Sequence, residues 1–173
     1  MNKNKDLDKI ISKLGLSKED YLFLTIKTVY LYEMKSGDKN VEYREPGDFI
    51  LSRLYKNYNK KGTGEPKELS HILFQAGYNP DSPRMLVELK GWAWKGEPYP
   101  SDLSTEGHDI DRGCVNLLLG NVLYENLDMS REEEFFRKDA YVYNTSKKPP
   151  HAGLRKKIDG KRKTRIRRST GRM

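Results

Sequence analysis

The sequence contains a single cysteine, Cys114, among its 173 residues, so no disulfide can form within one chain. Such scarcity agrees with a reducing compartment, where disulfides are rare. No apolar run approaches the roughly 20 residues that a membrane-spanning helix needs. The first residues, Met1 to Asp6, are polar and lack the apolar segment of a secretory signal peptide. These absences predict a soluble protein that is made inside the cell.

Acidic residues are almost missing from the last 28 positions, where Asp159 is the only one. This segment therefore carries +11, and because the whole chain carries +8, residues 1–145 carry −3. The sequence predicts two parts: a body, residues 1–145, and a basic C-terminal arm, residues 146–173. The twelve cations of the arm are Lys147, Lys148, Arg155, Lys156, Lys157, Lys161, Arg162, Lys163, Arg165, Arg167, Arg168 and Arg172.

The arm has the composition of a flexible interaction segment. Blocks of like charge repel one another and bury too little apolar surface to fold alone. Prolines and glycines interrupt any continuous helix in it. A polyanion is the natural partner, because each neutralised phosphate releases condensed counterions. We therefore predict that the twelve cations bind nucleic acid. An acidic surface on a neighbouring subunit and a solubilising or nuclear-localisation tail are the alternatives.

The hydrophobic spacing of the body predicts a mostly α protein, a compact bundle of helices. Apolar residues recur at helical spacing, and turn or capping residues separate the segments. The predicted helices cover Leu7 to Leu14, a segment beginning at Ser17, Asp48 to Tyr58, Pro66 to Ala76, Arg84 to Lys95, Asp109 to Asn126, and a segment beginning at Ser130. Val41 to Tyr43 is predicted to be briefly extended.

The segment Arg84 to Lys95 also fits a strand, because Val87 and Leu89 alternate with Glu88 and Lys90. Its length, and the capping pattern of Ser82 and Pro83, favour the helix.

The phrase Lys13-Leu-Gly-Leu-Ser17 resembles the turn of a helix-turn-helix DNA-binding motif. That resemblance implies a DNA-binding regulator with a recognition helix after Ser17. A recognition helix presents polar side chains to base edges, whereas Tyr21 to Tyr32 is largely apolar. A buried helix is therefore favoured at this position.

Pro80-Asp81 followed by Glu88-Leu89-Lys90 resembles the signature of the PD-(D/E)XK nucleases. The resemblance implies that Asp81 and Glu88 hold a divalent metal and that Lys90 positions the attacking water. Only six residues separate the two acids, which is short for two neighbouring strands. A metal-dependent nuclease is thus the alternative to a non-enzymatic protein.

His108, Asp109 and Asp111 lie close to Cys114 and are residue types that bind metals. No second group at ligand spacing completes a site, and acids at a helix N-terminus stabilise its dipole without a metal. Cys114 lies beside apolar residues, as an inert core thiol does. We predict no metal, no cofactor and no catalytic residue here.

The combination of a helical body, many tyrosines and a basic arm resembles, in architecture alone, the ring-forming head-to-tail connectors of tailed phages. The resemblance implies a structural component of a virion or similar nucleoprotein particle. Such a protein is not an enzyme, contacts neighbouring subunits and nucleic acid, and forms homo-oligomers or part of a large assembly.

Overall fold

The computed structural model describes residues 5–59 and 64–134. It divides the chain into two units, Met1–Met129 and Ser130–Met173, and only residues 130–134 of the second unit are described. The described elements are α1 Lys5–Lys13, β1 Tyr21–Ile26, α2 Thr28–Ser36, β2 Val41–Arg44, α3 Asp48–Leu54, β3 His71–Ala76, β4 Arg84–Trp94, β5 Glu97–Tyr99, β6 Val115–Glu125 and a 3-10 helix, Met129–Arg131.

The prediction of an all-α, helical-bundle body is wrong, because the protein is mostly β and is built on one mixed sheet. The segment after Ser17 forms β1 and only then α2. The segments predicted as helices over Pro66 to Ala76, Arg84 to Lys95 and Asp109 to Asn126 contain the strands β3, β4 and β6. At Arg84 to Lys95 the alternative prediction of a strand is therefore confirmed. The prediction is confirmed for α1 and β2, and α3 begins at the predicted Asp48 but ends at Leu54.

These strands were mistaken for helices because both of their faces are covered. Val115 to Leu119 of β6 are all buried, and Lys90 is the only exposed residue of β4. A strand buried on both sides reads as a continuous apolar run rather than as an alternation. Such a run also satisfies a helical spacing over ten residues, so periodicity cannot separate the two.

The sheet has the strand order β1-β3-β4-β6-β2, and β5 pairs with β4 beside that path. β1 is parallel to β3, with Tyr21 opposite His71, and every other pairing is antiparallel. β2 lies at the far edge from β1, with Val41 opposite Leu118. The pairing of β4 with β6 contains register shifts between Leu86 and Gly91.

The main core lies on one face of the sheet, where α2 and α3 contribute Leu31, Met34, Ile50, Leu51 and Leu54. A smaller core lies on the other face, where Leu7 of α1 packs with Leu73 and Leu86. α1 has its apolar side chains on one stripe, and Gly15 follows in the left-handed conformation at φ 67°. The sheet therefore has helices on both faces.

The sheet is curled, so its two edge strands approach each other. Arg44 on β2 reaches β1, where its Nη2 donates a hydrogen bond of 2.9 Å to the carbonyl oxygen of Thr25. These two strands are separated by three others in the sheet order. The Arg44 side chain thus links β1 and β2, and no backbone hydrogen-bond ladder connects these two strands among the described residues.

The capping pattern at Ser130 precedes a helix as predicted, since residues 132–134 are α-helical. A 3-10 helix covers Met129–Arg131, and Arg131 Nε lies 3.1 Å from Glu134 Oε2. The apolar residues predicted to follow, Phe135, Phe136 and Ala140, lie outside the described residues.

Among residues 5–59 and 64–134, no helix has both the length and the apolar character needed to cross a membrane.

Candidate functional site

The buried charged residues among those described in the first unit are Glu33 on α2 and the pair Lys39 and Glu42, and the pair lies beside the join between β2 and β1. Lys39 and Glu42 are 8% and 5% exposed, and Arg44 is partly buried. Lys and Glu are almost never buried unless they are paired, because removing a charge from water is costly. We name Lys39, Glu42 and Arg44 the ionic centre.

One carboxylate holds both cations of the ionic centre. Lys39 Nζ lies 3.1 Å from Glu42 Oε2, and Arg44 Nε lies 2.9 Å from Glu42 Oε1. The second contact is an ion pair by distance, but its N–H is not aligned for a hydrogen bond. Arg44 is instead oriented by its hydrogen bond to Thr25. The three side chains together carry a formal charge of +1.

Two tyrosine rings lie beside the ammonium of Lys39. Its Nζ is 4.9 Å from the centroid of Tyr30 and 5.5 Å from that of Tyr43. Cations are attracted to the negative face of an aromatic ring at this range. The ammonium group is therefore stabilised by a carboxylate and by aromatic faces, although water reaches little of it.

Local backbone geometry brings these residues together. α2 ends at Ser36, and Gly37 follows it in the left-handed conformation at φ 87°. The Lys39 N–H then donates to the Glu33 carbonyl oxygen at 3.1 Å. This turn leads directly into β2. Glu42 and Arg44 are two positions apart, so both point to one face of the strand. Glu42 lies opposite Leu117 of the main core, which identifies that face as the covered one.

A buried indole lies in the same row of the sheet. Trp92 pairs with Leu117, which in turn pairs with Glu42, so the three side chains share a face. Trp92 is 3% exposed, and within the described part of the chain its Nε1 has no hydrogen-bond partner. Tyr55 packs edge-on against it at 5.1 Å and Tyr99 at 5.6 Å between ring centroids.

The ionic centre has an evident structural effect: it fastens β2 to β1. Arg44 is also the part of the centre that solvent reaches, since its side chain is 24% exposed. A guanidinium fixed in this way presents its remaining donors in a set direction, as recognition of a carboxylate or phosphate requires. The arrangement can therefore orient an anionic or hydrogen-bond-accepting group at the join of the two strands.

A second polar group lies on the opposite face, around His71 at the start of β3. Ser70 Oγ is 2.7 Å from His71 Nδ1, and His71 pairs with Glu88 across β3 and β4. Burial lowers the pKa of His71, although the carboxylates of Glu88 and Asp20 act in the opposite direction. The pKa of Asp20 is itself lowered, first by the Ser17 hydroxyl and then by the Ser17 N–H.

The predicted nuclease residues are placed on one hairpin. Asp81 is in the turn between β3 and β4, where its N–H donates to Asn79 Oδ1. Glu88 and Lys90 are on β4, and Glu88 Oε2 accepts hydrogen bonds from the N–H and the Nδ2 of Asn121. Glu88 is about 13 Å along the strand from Arg84, which itself follows the turn. The Glu88 carboxylate thus holds β4 against β6.

The group around His108 lies in the loop before β6, not at a helix N-terminus. Asp111 Oδ1 accepts the Gly113 N–H at 2.8 Å, and the Asn116 amide holds the backbone of Asp111. Cys114 is buried, as expected of a core thiol. Within residues 5–59 and 64–134, no three His, Cys, Asp or Glu side chains are grouped closely enough to hold a metal ion.

The helix-turn-helix alternative does not agree with the structure. Ser17 and Asp20 make the predicted capping contact, with the Ser17 N–H donating to Asp20 Oδ2 at 2.7 Å. A strand follows instead of a recognition helix, because β1 begins at Tyr21. The twelve arm cations predicted to bind nucleic acid all lie outside the described residues.

Sequence reasoning did not identify the ionic centre. The available signal was the segment Val41 to Arg44, predicted to be extended, in which Glu42 and Arg44 lie two apart. Opposite charges at that spacing on a strand share a face. Lys39 could not be added, because its position depends on the left-handed turn at Gly37.

Comparison of the chain with protein-family models, with curated proteins and with solved structures found no match.

Proposed function

We propose that this protein is a non-enzymatic, nucleic-acid-binding component of a nucleoprotein assembly such as a virion, and that its arm supplies the main contact with the polyanion. The observation that carries the proposal is the segregation of charge. Residues 146–173 carry +11 and residues 1–145 carry −3. The body has no net attraction for phosphate, so long-range attraction comes from the arm.

Salt dependence tests this proposal directly. If about six arm cations meet phosphates on duplex DNA, log affinity should fall with log salt concentration with a slope near −5, at roughly 0.9 per contact. Replacing Arg162, Lys163, Arg165, Arg167 and Arg168 with glutamine should reduce that slope by several units. Binding should weaken almost equally on unrelated sequences, because phosphate contacts carry no sequence information.

A matched control removes the same amount of charge from the body. Lys5, Lys9, Lys13, Lys18 and Lys56 are exposed, and changing these five to glutamine should leave the slope nearly unchanged. The proposal is wrong if the body variant loses as much of the slope as the arm variant. An arm that binds an acidic subunit would instead show weak nucleic-acid binding in both variants.

The non-enzymatic part of the proposal has its own test. Plasmid DNA incubated with the full chain and Mg²⁺ should remain intact. Cleavage by the wild-type chain that disappears in Glu88→Gln would identify a metal-dependent nuclease, because Glu88 is a metal ligand only in that alternative. The folded state of this variant must be checked, since Glu88 accepts two hydrogen bonds from Asn121.

A further inference from the structure

The outward side of α3 carries an exposed aromatic ring. Ile50, Leu51 and Leu54 of this helix pack in the main core. Phe49 and Arg53 are four positions apart, so they are neighbours on the helix surface, and both are exposed. Phe49 belongs to neither core and is 58% exposed, the highest value among the phenylalanines that the structure describes. Its ring therefore faces solvent.

The Arg53 guanidinium covers one face of the Phe49 ring. Its Cζ lies 3.7 Å from the ring centroid, and its Nη1 donates a hydrogen bond of 2.9 Å to the Phe49 carbonyl oxygen. The guanidinium is thus held both by the backbone and by the aromatic face. Because the side chain of Phe49 stays exposed beside this contact, the second face of its ring is open.

The cations of this surface form no ion pair with the described acids. Arg53 and Lys67 are both without a carboxylate at ion-pair distance among the residues that the structure describes. Lys67 Nζ donates instead to the Ser52 carbonyl oxygen at 3.2 Å, which brings it to the C-terminal end of α3. The one acid of α3, Asp48, accepts the Tyr58 hydroxyl at 2.8 Å. Both cations therefore keep N–H donors for an external anion.

Charge is uneven along the sequence of the body. Residues 49–64 contain four cations and no acid, and this is the longest run without an acid in residues 1–145. Because the −3 of the body includes this +4, the rest of the body carries −7. The stretch that contains α3 is therefore the part of the body that attracts a polyanion most strongly.

An open aromatic face beside unpaired cations has the chemistry of a base-stacking contact. Proteins that bind single strands stack the bases on aromatic rings and follow the backbone with basic side chains. Bases within a duplex are already stacked on neighbouring pairs, so an external ring is available mainly to unpaired bases. Stacking also tolerates any base, because every base has a π face.

We propose that the outward side of α3 binds single-stranded nucleic acid, with one base on the open face of Phe49 and phosphates at Arg53 and Lys67. The inference rests on the nucleic-acid binding proposed above. It adds to the arm a contact that only unpaired bases can make.

Binding of the full chain to a labelled oligothymidine and to a duplex of equal length, measured by fluorescence anisotropy, tests this contact. Phe49→Ala should weaken single-strand binding about tenfold, a loss typical of one stacked base, and leave duplex binding nearly unchanged. Phe49→Leu should behave like Phe49→Ala, whereas Phe49→Tyr should retain most of the affinity because it keeps the ring. The thermal transition should not move in these variants, since Phe49 lies outside both cores.

Tyr78→Ala is the matched control. It removes a ring that is 90% exposed in the turn between β3 and β4, and it should change neither affinity. Equal losses in Phe49→Ala and Tyr78→Ala, an equal loss on the duplex, or no loss in Phe49→Ala would overturn the inference.

A photoreactive base locates the contact directly. An oligothymidine carrying one iodouracil couples to a stacked aromatic ring on irradiation, and mass spectrometry of the peptides should find the adduct at Phe49. Adducts at other aromatic residues alone would contradict the proposed position.

The salt slope separates this inference from the function on which it rests. Phe49→Ala removes no charge, so the slope should stay at the wild-type value, whereas the arm variant lowers it. If the arm sets the slope but Phe49→Ala binds single strands like the wild type, only the α3 contact is wrong. A wild-type chain that binds neither nucleic acid would overturn both proposals.

Discussion

Glu42 is the residue on which the ionic centre depends, because it is the carboxylate shared by two cations. Removing one partner of a buried ion pair leaves an uncompensated charge and typically costs about 3–5 kcal/mol. The reverse replacement, of a whole buried network by apolar residues, is often neutral. Loss of the Glu42 carboxylate alone should therefore destabilise the protein more than replacement of all three side chains by apolar residues.

We expect Glu42→Gln to lower the free energy of unfolding by about 3–5 kcal/mol, because Lys39 would remain buried beside a neutral amide. Urea denaturation followed by tryptophan fluorescence measures this change. Lys9→Met is the control, since the Lys9–Asp6 pair is 75% exposed on both sides and should contribute less than about 1 kcal/mol. Equal effects in the two variants would show that the centre is not buried in solution.

His71 should make stability depend on pH. Its pKa is lowered in the folded protein, so the unfolded chain takes up a proton first as the pH falls through 6.5, its ordinary value. The contribution of His71 to the free energy of unfolding is therefore at its full value above pH 6.5, and it decreases as the pH falls toward the lowered pKa. His71→Gln should make the melting temperature less sensitive between pH 7.5 and 5.5, in comparison with the wild type. A steeper dependence in the variant would contradict this sign.

At the level of single elements, β4 and β6 are held closely together at Gly120. A Cβ atom there would lie 2.9 Å from both Glu88 Cβ and Glu88 Oε2. Real Cβ atoms do not approach so closely, and Glu88 is already fixed by Asn121. Gly120 is thus required by the spacing of the two strands rather than by its backbone conformation.

Gly120→Ala should therefore destabilise the body by about 1–3 kcal/mol, the typical cost of overpacking. The measurement is the midpoint of urea denaturation at constant slope. Gly47→Ala provides the comparison, because a Cβ at Gly47 meets nothing within 4 Å and the residue has φ −109°. A loss of stability as large in Gly47→Ala as in Gly120→Ala would show that close packing is not the cause.

Elements defined by local chemistry could be predicted from the sequence, and those defined by long-range burial could not. The stripe of α1 with Gly15, the extended segment of β2 and the start of α3 at Asp48 each depend on a few neighbouring residues. β4 and β6 were read as helices because their second faces are also covered, in part by α1, which removes the alternation. The ionic centre was missed for a different reason: Lys39 reaches Glu42 through the left-handed turn at Gly37, and the link from Arg44 to Thr25 of β1 forms only when the sheet curls.

At the scale of the whole molecule, the chain should tolerate loss of its arm. The sheet and both cores are complete within the described residues that precede Ser130. A chain truncated after Thr145 should therefore keep a single cooperative thermal transition. Calorimetry of the full and truncated chains makes the comparison. Loss of that transition on truncation would show that the arm belongs to the folded core.

The position of β2 in the sheet determines when this protein can fold during synthesis. β2 is the second strand in sequence, yet its only partner among the described strands is β6, the last, where Val41 pairs with Leu118. Contacts between such distant positions form slowly, because the intervening chain must first be ordered. Until β6 leaves the ribosome, β2 has no partner strand and one edge of β4 is unpaired. The sheet therefore forms in a single late step, and until then its unpaired edges can associate with other nascent chains.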